Sequence, residues 1–190
     1  MKDHNGNSYS ELTEGTKVGK YRLVNKIGSG GMGDVYLAED TDLNRKVALK
    51  FLSSSLASDP DCKARFIREA QAAAKLNHPN IITIHEVSEF QGWPFFAMEY
   101  VEGDSLWDVS KKQDLTQAQV IDIAIQICDG LQEAHAVGIV HRDIKPSNIL
   151  IDQNSRCKLL DFGLAVVRGC DPLTKDKSTL GTVSYMSPEQ

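Results

Sequence analysis

The chain has 190 residues, 41% of them hydrophobic and 25% charged, with a formal net charge of −5. This balance excludes a disordered chain, and the acidic excess argues against a general nucleic-acid binder. No apolar run approaches ~18 residues, and the N-terminal MKDHNGNSYSEL has no apolar signal core, so the reading is cytoplasmic, with no transmembrane segment in this chain.

The four cysteines, Cys62, Cys128, Cys157 and Cys170, show neither C-x-x-C spacing nor the density of a disulfide-stapled fold. They read as reduced thiols, and zinc is not expected. Residues 1 to 16 are polar and aperiodic, which reads as a flexible leader. From Tyr21 the pattern alternates, with Tyr21, Leu23, Asn25 and Ile27 on one face, and runs into GSGGMG and then DVYLAED. A polar turn at Thr41 to Asn44 leads to RKVALKFL, completing a strand, glycine turn, strand, turn, strand meander.

Asp59 and Pro60 supply an N-cap and a proline at N1, and Phe66, Ile67, Ala70, Ala73 and Ala74 give the helix that follows an apolar face as far as Leu76. His78-Pro79-Asn80 stops it. Ile81 to Val87 and Pro94 to Val101 read as two further strands joined at Gln91-Gly92, giving a five-stranded antiparallel sheet with one helix. After Gly103 the texture becomes helical. Thr116 and Gln119 form a capping box at the head of a long amphipathic helix carrying Val120, Ala124, Ile127 and Leu131, which Gly138 terminates. Ile149 to Ile151 and Lys158 to Leu160 read as a hairpin, and Val166 to Gln190 as loop.

Gly28, Gly30 and Gly33 form G-x-G-x-x-G, with Gly31 as an additional glycine. A Rossmann fingerprint would need a helix directly after the glycines, and a P-loop would need Gly-Lys-Ser/Thr. Here a strand follows, so the glycines cap a β-hairpin whose backbone N–H groups can close over phosphates; the plain alternative is a flexible hairpin tip. Lys50 ends Val47-Ala48-Leu49-Lys50, a lysine in an otherwise apolar strand. At an edge it would snorkel into water; buried, it needs an anionic partner.

Three later segments complete a pattern: His141-Arg142-Asp143-Ile144-Lys145-Pro146-Ser147-Asn148, then Asp161-Phe162-Gly163, then Ser187-Pro188-Glu189. Each alone could be a turn. In this order, behind the glycine hairpin and Val-Ala-Leu-Lys, they resemble the protein kinase signature set from Lys17 onward, and the whole looks most like the bacterial serine/threonine protein kinases. The resemblance implies an α+β bilobal fold: a leader at 1–16, an N-lobe and hinge at 17–101, and a partial, mainly helical C-lobe at 102–190.

It also implies roles. Phosphoryl transfer needs charge neutralisation and in-line positioning, so cations gather at the triphosphate and carboxylates at the metal. By resemblance ATP and Mg2+ are the cofactors. Lys50 holds the α and β phosphates and is itself held by Glu69, whose plain alternative is a solvated helix pair with Arg65. Asn148 and Asp161 ligate Mg2+, which prefers hard oxygen ligands. Asp143 orients the acceptor hydroxyl and takes its proton, and Lys145, which meets the transferred phosphate, favours serine/threonine over tyrosine acceptors.

The nucleotide would lie among Ile27, Gly28, Ser29, Gly30, Gly31, Met32, Gly33, Asp34, Val35 and Ala48, with Met98 as gatekeeper and the Glu99 and Val101 backbones facing adenine. The expected partner is a protein substrate with a serine or threonine acceptor. Arg142 implies a phosphate on Thr174, Ser178 or Thr179, with Asp176 as a weaker constitutive charge. Kinases continue past Ser-Pro-Glu with several helices, so the expectation for the polypeptide ending at Gln190 is impaired transfer. The alternatives are a nucleotide-binding pseudokinase or scaffold, for which no catalytic side chain is missing, and a small-molecule kinase, disfavoured by Thr182 and Ser187-Pro188-Glu189.

Overall fold

The computed structural model describes residues 12–162 and Tyr185. The described residues form two compact units. The first runs to Gln71 and resumes over Ile84–Tyr100; the second takes Ala72–Thr83 and continues from Val101. A simple division at residue 101 would have kept 72–83 with the first unit.

The first unit is built on an antiparallel sheet of six strands: β1 (Lys17–Val18), β2 (Tyr21–Gly30), β3 (Gly33–Asp40), β4 (Arg45–Leu52), β5 (Ile84–Phe90) and β6 (Trp93–Glu99). Their order is β1-β2-β3-β4-β6-β5. The sixth strand, β1, is a two-residue edge too short for periodicity to reveal. The inner end of the expected leader is tied to the sheet, although Thr13, Glu14 and Gly15 are exposed. Leu12 is buried in the core, Gly15 N–H donates to the Leu23 carbonyl at 2.8 Å, and Leu23 N–H returns a bond to Thr16 at 2.9 Å.

One sheet face carries Tyr21, Leu23, Tyr36, Val47, Leu49, Phe51 and Phe95 in a single apolar core. Its aromatic rings meet at favourable angles, Phe51 lying 5.1 Å from Phe95, and 5.9 Å from Tyr36 at 89°. The sheet curls enough that Tyr21 of β2 donates its hydroxyl to Glu86 Oε2 of β5 at 2.8 Å, with β3, β4 and β6 between them in the ladder. The other face packs against helix α2. A short helix α1 (Ser54–Ala57) precedes α2 (Pro60–Ala73), which starts where Asp59 Oδ1 accepts from the Asp61 and Cys62 N–H groups. Cys62, Phe66, Ala70 and Ala73 are its buried stripe, and Phe66 stacks 5.4 Å from Phe96. Burying a phenylalanine of this kind contributes about 1.5 to 3 kcal/mol.

In the second unit a three-stranded sheet, β7 (Gly103–Ser105), β8 (Ile149–Asp152) and β9 (Cys157–Leu159), packs with α3 (Leu106–Lys112) and α4 (Gln117–Ala136). The Thr116–Gln119 capping box forms at the head of α4, and Gly138, at φ +76°, follows its end. α4 approaches β9 closely because residue 130 is glycine: a Cβ there would sit 3.0 Å from Leu159 Cδ1.

Several strand limits differ from the sequence reading, two of them for partner reasons. Ile81 does not start β5; it bridges in parallel to Leu159, drawn there by the bonds of Asn80 and Ile82 to that residue. β6 ends at Glu99, paired with Val47, so Tyr100 and Val101 lie outside the ladder. No helix among the described residues is long and apolar enough to cross a membrane.

Candidate active site

In the first unit the site residues sit on rows of the sheet. Gly28 pairs with Val35, Val35 with Lys50, and Lys50 with Phe96; in the next row Leu37 pairs with Ala48 and Ala48 with Met98. Paired residues share a face, so Val35, Ala48, Lys50 and Met98 present together on the side that α2 covers at Phe96. Lys50 is 5% exposed, Ala48 and Met98 are buried, and Ile27 stands out at 44% exposed. Glu99 and Val101 are half-buried. A lysine held this deep among apolar residues requires an anion and is poorly placed to serve as surface charge.

The glycine segment is the β2–β3 hairpin, turning at Gly31-Met32 between Gly30 and Gly33, which pair. Gly33 has φ +144°, and a Cβ there would fall 1.8 Å from the Phe51 carbonyl oxygen, so only glycine fits. Ser53 N–H donates to the Met32 carbonyl at 2.8 Å, and the Met32 side chain is buried, so this member of the expected nucleotide loop is turned into the protein. Ser29 Oγ donates to Asp34 Oδ1 at 2.7 Å, and Lys26 Nζ approaches the same oxygen at 2.7 Å.

Glu69 does not hold Lys50 in this structure. Among the described residues its carboxylate pairs with Nη2 of the adjacent Arg68 at 3.9 Å, and with neither Lys50 nor Arg65. A contact of that length between partly exposed groups contributes little.

The second unit gathers Asp143, Lys145 and Asn148. Lys145 Nζ lies 3.0 Å from Asp143 Oδ2, and Asn148 Nδ2 donates to the same oxygen and to the Asp143 carbonyl. Asp143 and Asn148 are both buried. The 3-10 turn Pro146–Asn148, begun by proline, folds the loop back so that residues two and five positions on meet the aspartate. Among the described residues Asn148 Oδ1 accepts nothing, and it remains as a hard oxygen beside the carboxylate.

His141, which sequence reasoning left out of the site residues, organises this loop. Its Nε2 donates to the Leu160 carbonyl at 2.7 Å while its Nδ1 accepts the Asp143 N–H at 3.3 Å, and its ring packs 4.6 Å from Phe162. These bonds require the neutral tautomer with the proton on Nε2, and burial holds its pKa below the ordinary histidine value. Leu160 N–H donates to the Asn148 carbonyl at 2.9 Å, which ties the segment before Asp161 to the loop. Arg142 and Asp161 adopt φ of +67° and +60°. Non-glycine residues in that region cost of order 1 to 3 kcal/mol each and persist only where neighbours fix them.

No group of three or more His, Cys, Asp or Glu side chains forms a metal cage among the described residues. One carboxylate and one amide suit magnesium better than a transition metal, because magnesium takes much of its coordination from water and substrate phosphates. Gly163, Thr174, Asp176, Ser178, Thr179, Thr182 and Ser187-Pro188-Glu189 lie outside the described residues.

The fold is of the protein-kinase class. The family model described as the protein kinase domain matches residues 21–190. The serine/threonine-protein kinase PknJ of Mycobacterium tuberculosis is 40% identical over 183 residues, covering 94% of this chain and 31% of that protein. PrkC of Bacillus subtilis, also a serine/threonine-protein kinase, is 44% identical over 173 residues, covering 90% of this chain and 27% of that one. Among solved structures, a double mutant of the Mycobacterium tuberculosis PknI kinase domain is similar with TM-score 0.74 and 34% identity, over 80% of this chain and 64% of that chain. The chain belongs to the protein kinase domain family and, within it, to the bacterial serine/threonine type. It spans about a third of the length of the curated relatives it matches.

Proposed function

We propose that the chain carries the machinery that moves the γ-phosphate of ATP to serine or threonine hydroxyls of protein substrates, in the cytoplasm. The observation that carries the reading is the buried cluster in which Lys145 and Asn148 converge on one oxygen of Asp143. Asp143 is the base: its Oδ2, fixed by two cationic or amide donors, orients the acceptor hydroxyl and takes its proton, an effect typically worth ~10²- to 10⁴-fold. Lys145 then offers positive charge to the phosphoryl group in transit. Lys50 holds the α and β phosphates, the glycine hairpin covers them with backbone N–H groups, and Val35, Ala48 and Met98 wall the adenine with the Glu99 and Val101 backbones beside it. Asn148 Oδ1 and the Asp161 carboxylate are the protein oxygens toward magnesium, which when bound neutralises the triphosphate.

A second reading, nucleotide binding without transfer, is favoured by one observation, the unformed Lys50–Glu69 pair. Asp143→Asn separates them. If the chain transfers labelled phosphate to a serine-containing protein, the variant should lose at least ~10²-fold in rate while keeping nucleotide affinity. Nucleotide binding with no transfer by the unmodified chain supports the second reading, and no nucleotide binding by folded protein overturns both.

A further inference from the structure

The strand that delivers Asp161 is fastened along its length, and the fastening starts at a residue far from the loop. Gln126, on α4, uses its whole amide: Oε1 accepts from the Cys157 N–H at 2.8 Å and from Asn80 Nδ2 at 3.0 Å, while Nε2 donates to Asp122 Oδ2 at 2.8 Å and to the Ser155 carbonyl at 3.1 Å. Asn80, 8% exposed, also donates through Nδ2 to the Cys157 carbonyl at 3.0 Å. Cys157 is therefore gripped through both its N–H and its carbonyl by two side-chain amides that bond to each other.

From there the bonds continue without a gap. Leu159 N–H donates to the Asn80 carbonyl at 2.8 Å and its own carbonyl accepts from Ile82 N–H at 3.0 Å; Leu160 donates to the Asn148 carbonyl and accepts from His141. The next residue is Asp161, in the left-handed region. A backbone strained there stays put only if the surroundings over-determine it, and the anchored run from Cys157 to Leu160 supplies that.

We infer that Gln126, acting with Asn80, is a positioning residue that sets the place of Asp161 through β9 and thereby the affinity for the divalent ion. The inference rests on the assignment of Asp161 and Asn148 as the protein oxygens toward magnesium. Outer groups that orient a ligand typically change metal affinity 10- to 100-fold when removed. Gln126 is bonded to Asn80, Asp122, Ser155 and Cys157 and is not among the residues assigned to nucleotide or metal, so its loss should act on the ion and not on the bare nucleotide.

The test uses the full chain with Mn2+ as probe, its binding read by electron paramagnetic resonance in the presence of a non-hydrolysable ATP analogue. Gln126→Ala is expected to weaken Mn2+ by about 10-fold or more, with metal-free affinity for the analogue held within about two-fold. Gln126→Glu keeps the acceptor for Cys157 and Asn80 but loses both donor bonds and sets a second carboxylate against Asp122, so it should weaken Mn2+ as well. Asn80→Ala repeats the experiment should Gln126→Ala fail to fold. Ile127→Ala, on the same helix but outside the amide lock, controls for helix loosening; it should lower the melting temperature and leave Mn2+ affinity alone. Unchanged Mn2+ affinity in folded Gln126→Ala or Asn80→Ala, or an equal loss in Ile127→Ala, overturns the inference and leaves the kinase reading standing. Failure of the unmodified chain to bind the Mn2+–analogue pair overturns both.

Discussion

Asn148 Nδ2 donates at once to the main-chain carbonyl of Asp143 at 2.8 Å and to its Oδ2 at 2.9 Å, so one amide fixes both the backbone and the carboxylate of the proposed base. Its Oδ1 takes no part in those two bonds. The side chain therefore does two jobs that substitution can separate.

Asn148→Ala removes a buried donor and leaves the Asp143 carbonyl without it. The expected loss of stability is about 1 to 3 kcal/mol, read from the midpoint of urea unfolding. Asn148→Asp restores an oxygen where Oδ1 stood but places a second carboxylate against Asp143, so it should be at least as destabilising near neutral pH. An unfolding midpoint that does not move in either variant would contradict the burial and bonding described for this loop.

Gly33 and Gly30 lie opposite one another in the glycine hairpin yet should respond differently to alanine. At Gly33 the added methyl meets the Phe51 carbonyl in a conformation at φ +144°; at Gly30 nothing lies within 4 Å. Gly33→Ala should cost about 2 to 5 kcal/mol from combined strain and overpacking, whereas Gly30→Ala should stay within about 0.5 kcal/mol. Paired thermal melts decide it, and equal effects would show that the hairpin is not seated on β4 in this way.

The Tyr21–Glu86 bond gives the first unit a dependence on pH at both ends of the scale. Hydrogen bonding from Lys20 holds the Glu86 carboxyl below its ordinary range, and burial first, then the bond to Glu86, pushes the Tyr21 hydroxyl up to about 12. A depressed carboxyl contributes stability that is present above its unfolded value and disappears as pH falls through the folded one. A raised phenol contributes stability that is present below pH 10 and disappears between 10 and about 12. Tyr21→Phe should flatten the alkaline limb and Glu86→Gln the acid limb of a stability-versus-pH curve; unchanged limbs in both variants would refute the linkage.

What could be read from residues alone was whatever chemistry a few neighbours decide. The Asp59-Pro60 start, the Thr116–Gln119 box and the glycine hairpin are local, and each formed as the sequence suggested. Asp143, Lys145 and Asn148 were singled out by resemblance alone; that a proline-started turn brings residues five apart together was not read from the sequence. Choices of distant partner were not legible. Ile81 had the composition of a sheet strand but took Leu159, because Asn80 and Gln126 fasten that segment elsewhere. Glu69 had the right spacing from Lys50 but pairs with Arg68, since spacing fixes a helix face and not the rotation of that helix relative to a strand. Met32 looked like loop and is buried, its carbonyl held by the distant Ser53 N–H. The single clue to the amide lock was Asn80, whose proline neighbour made it read as a stop signal.

The interleaving of the two units along the polypeptide bears on how this protein can be dissected in the laboratory. Because Ala72–Thr83 is folded with residues that follow Val101, and Ile84–Tyr100 with residues that precede Gln71, neither unit is one uninterrupted stretch. A recombinant fragment ending at residue 100 would carry twelve residues stripped of their hosts, and its complement would lack the strip that closes beside Leu159. Chimeras and split reporters made from this scaffold therefore call for circular permutation or a grafted linker in place of a single cut.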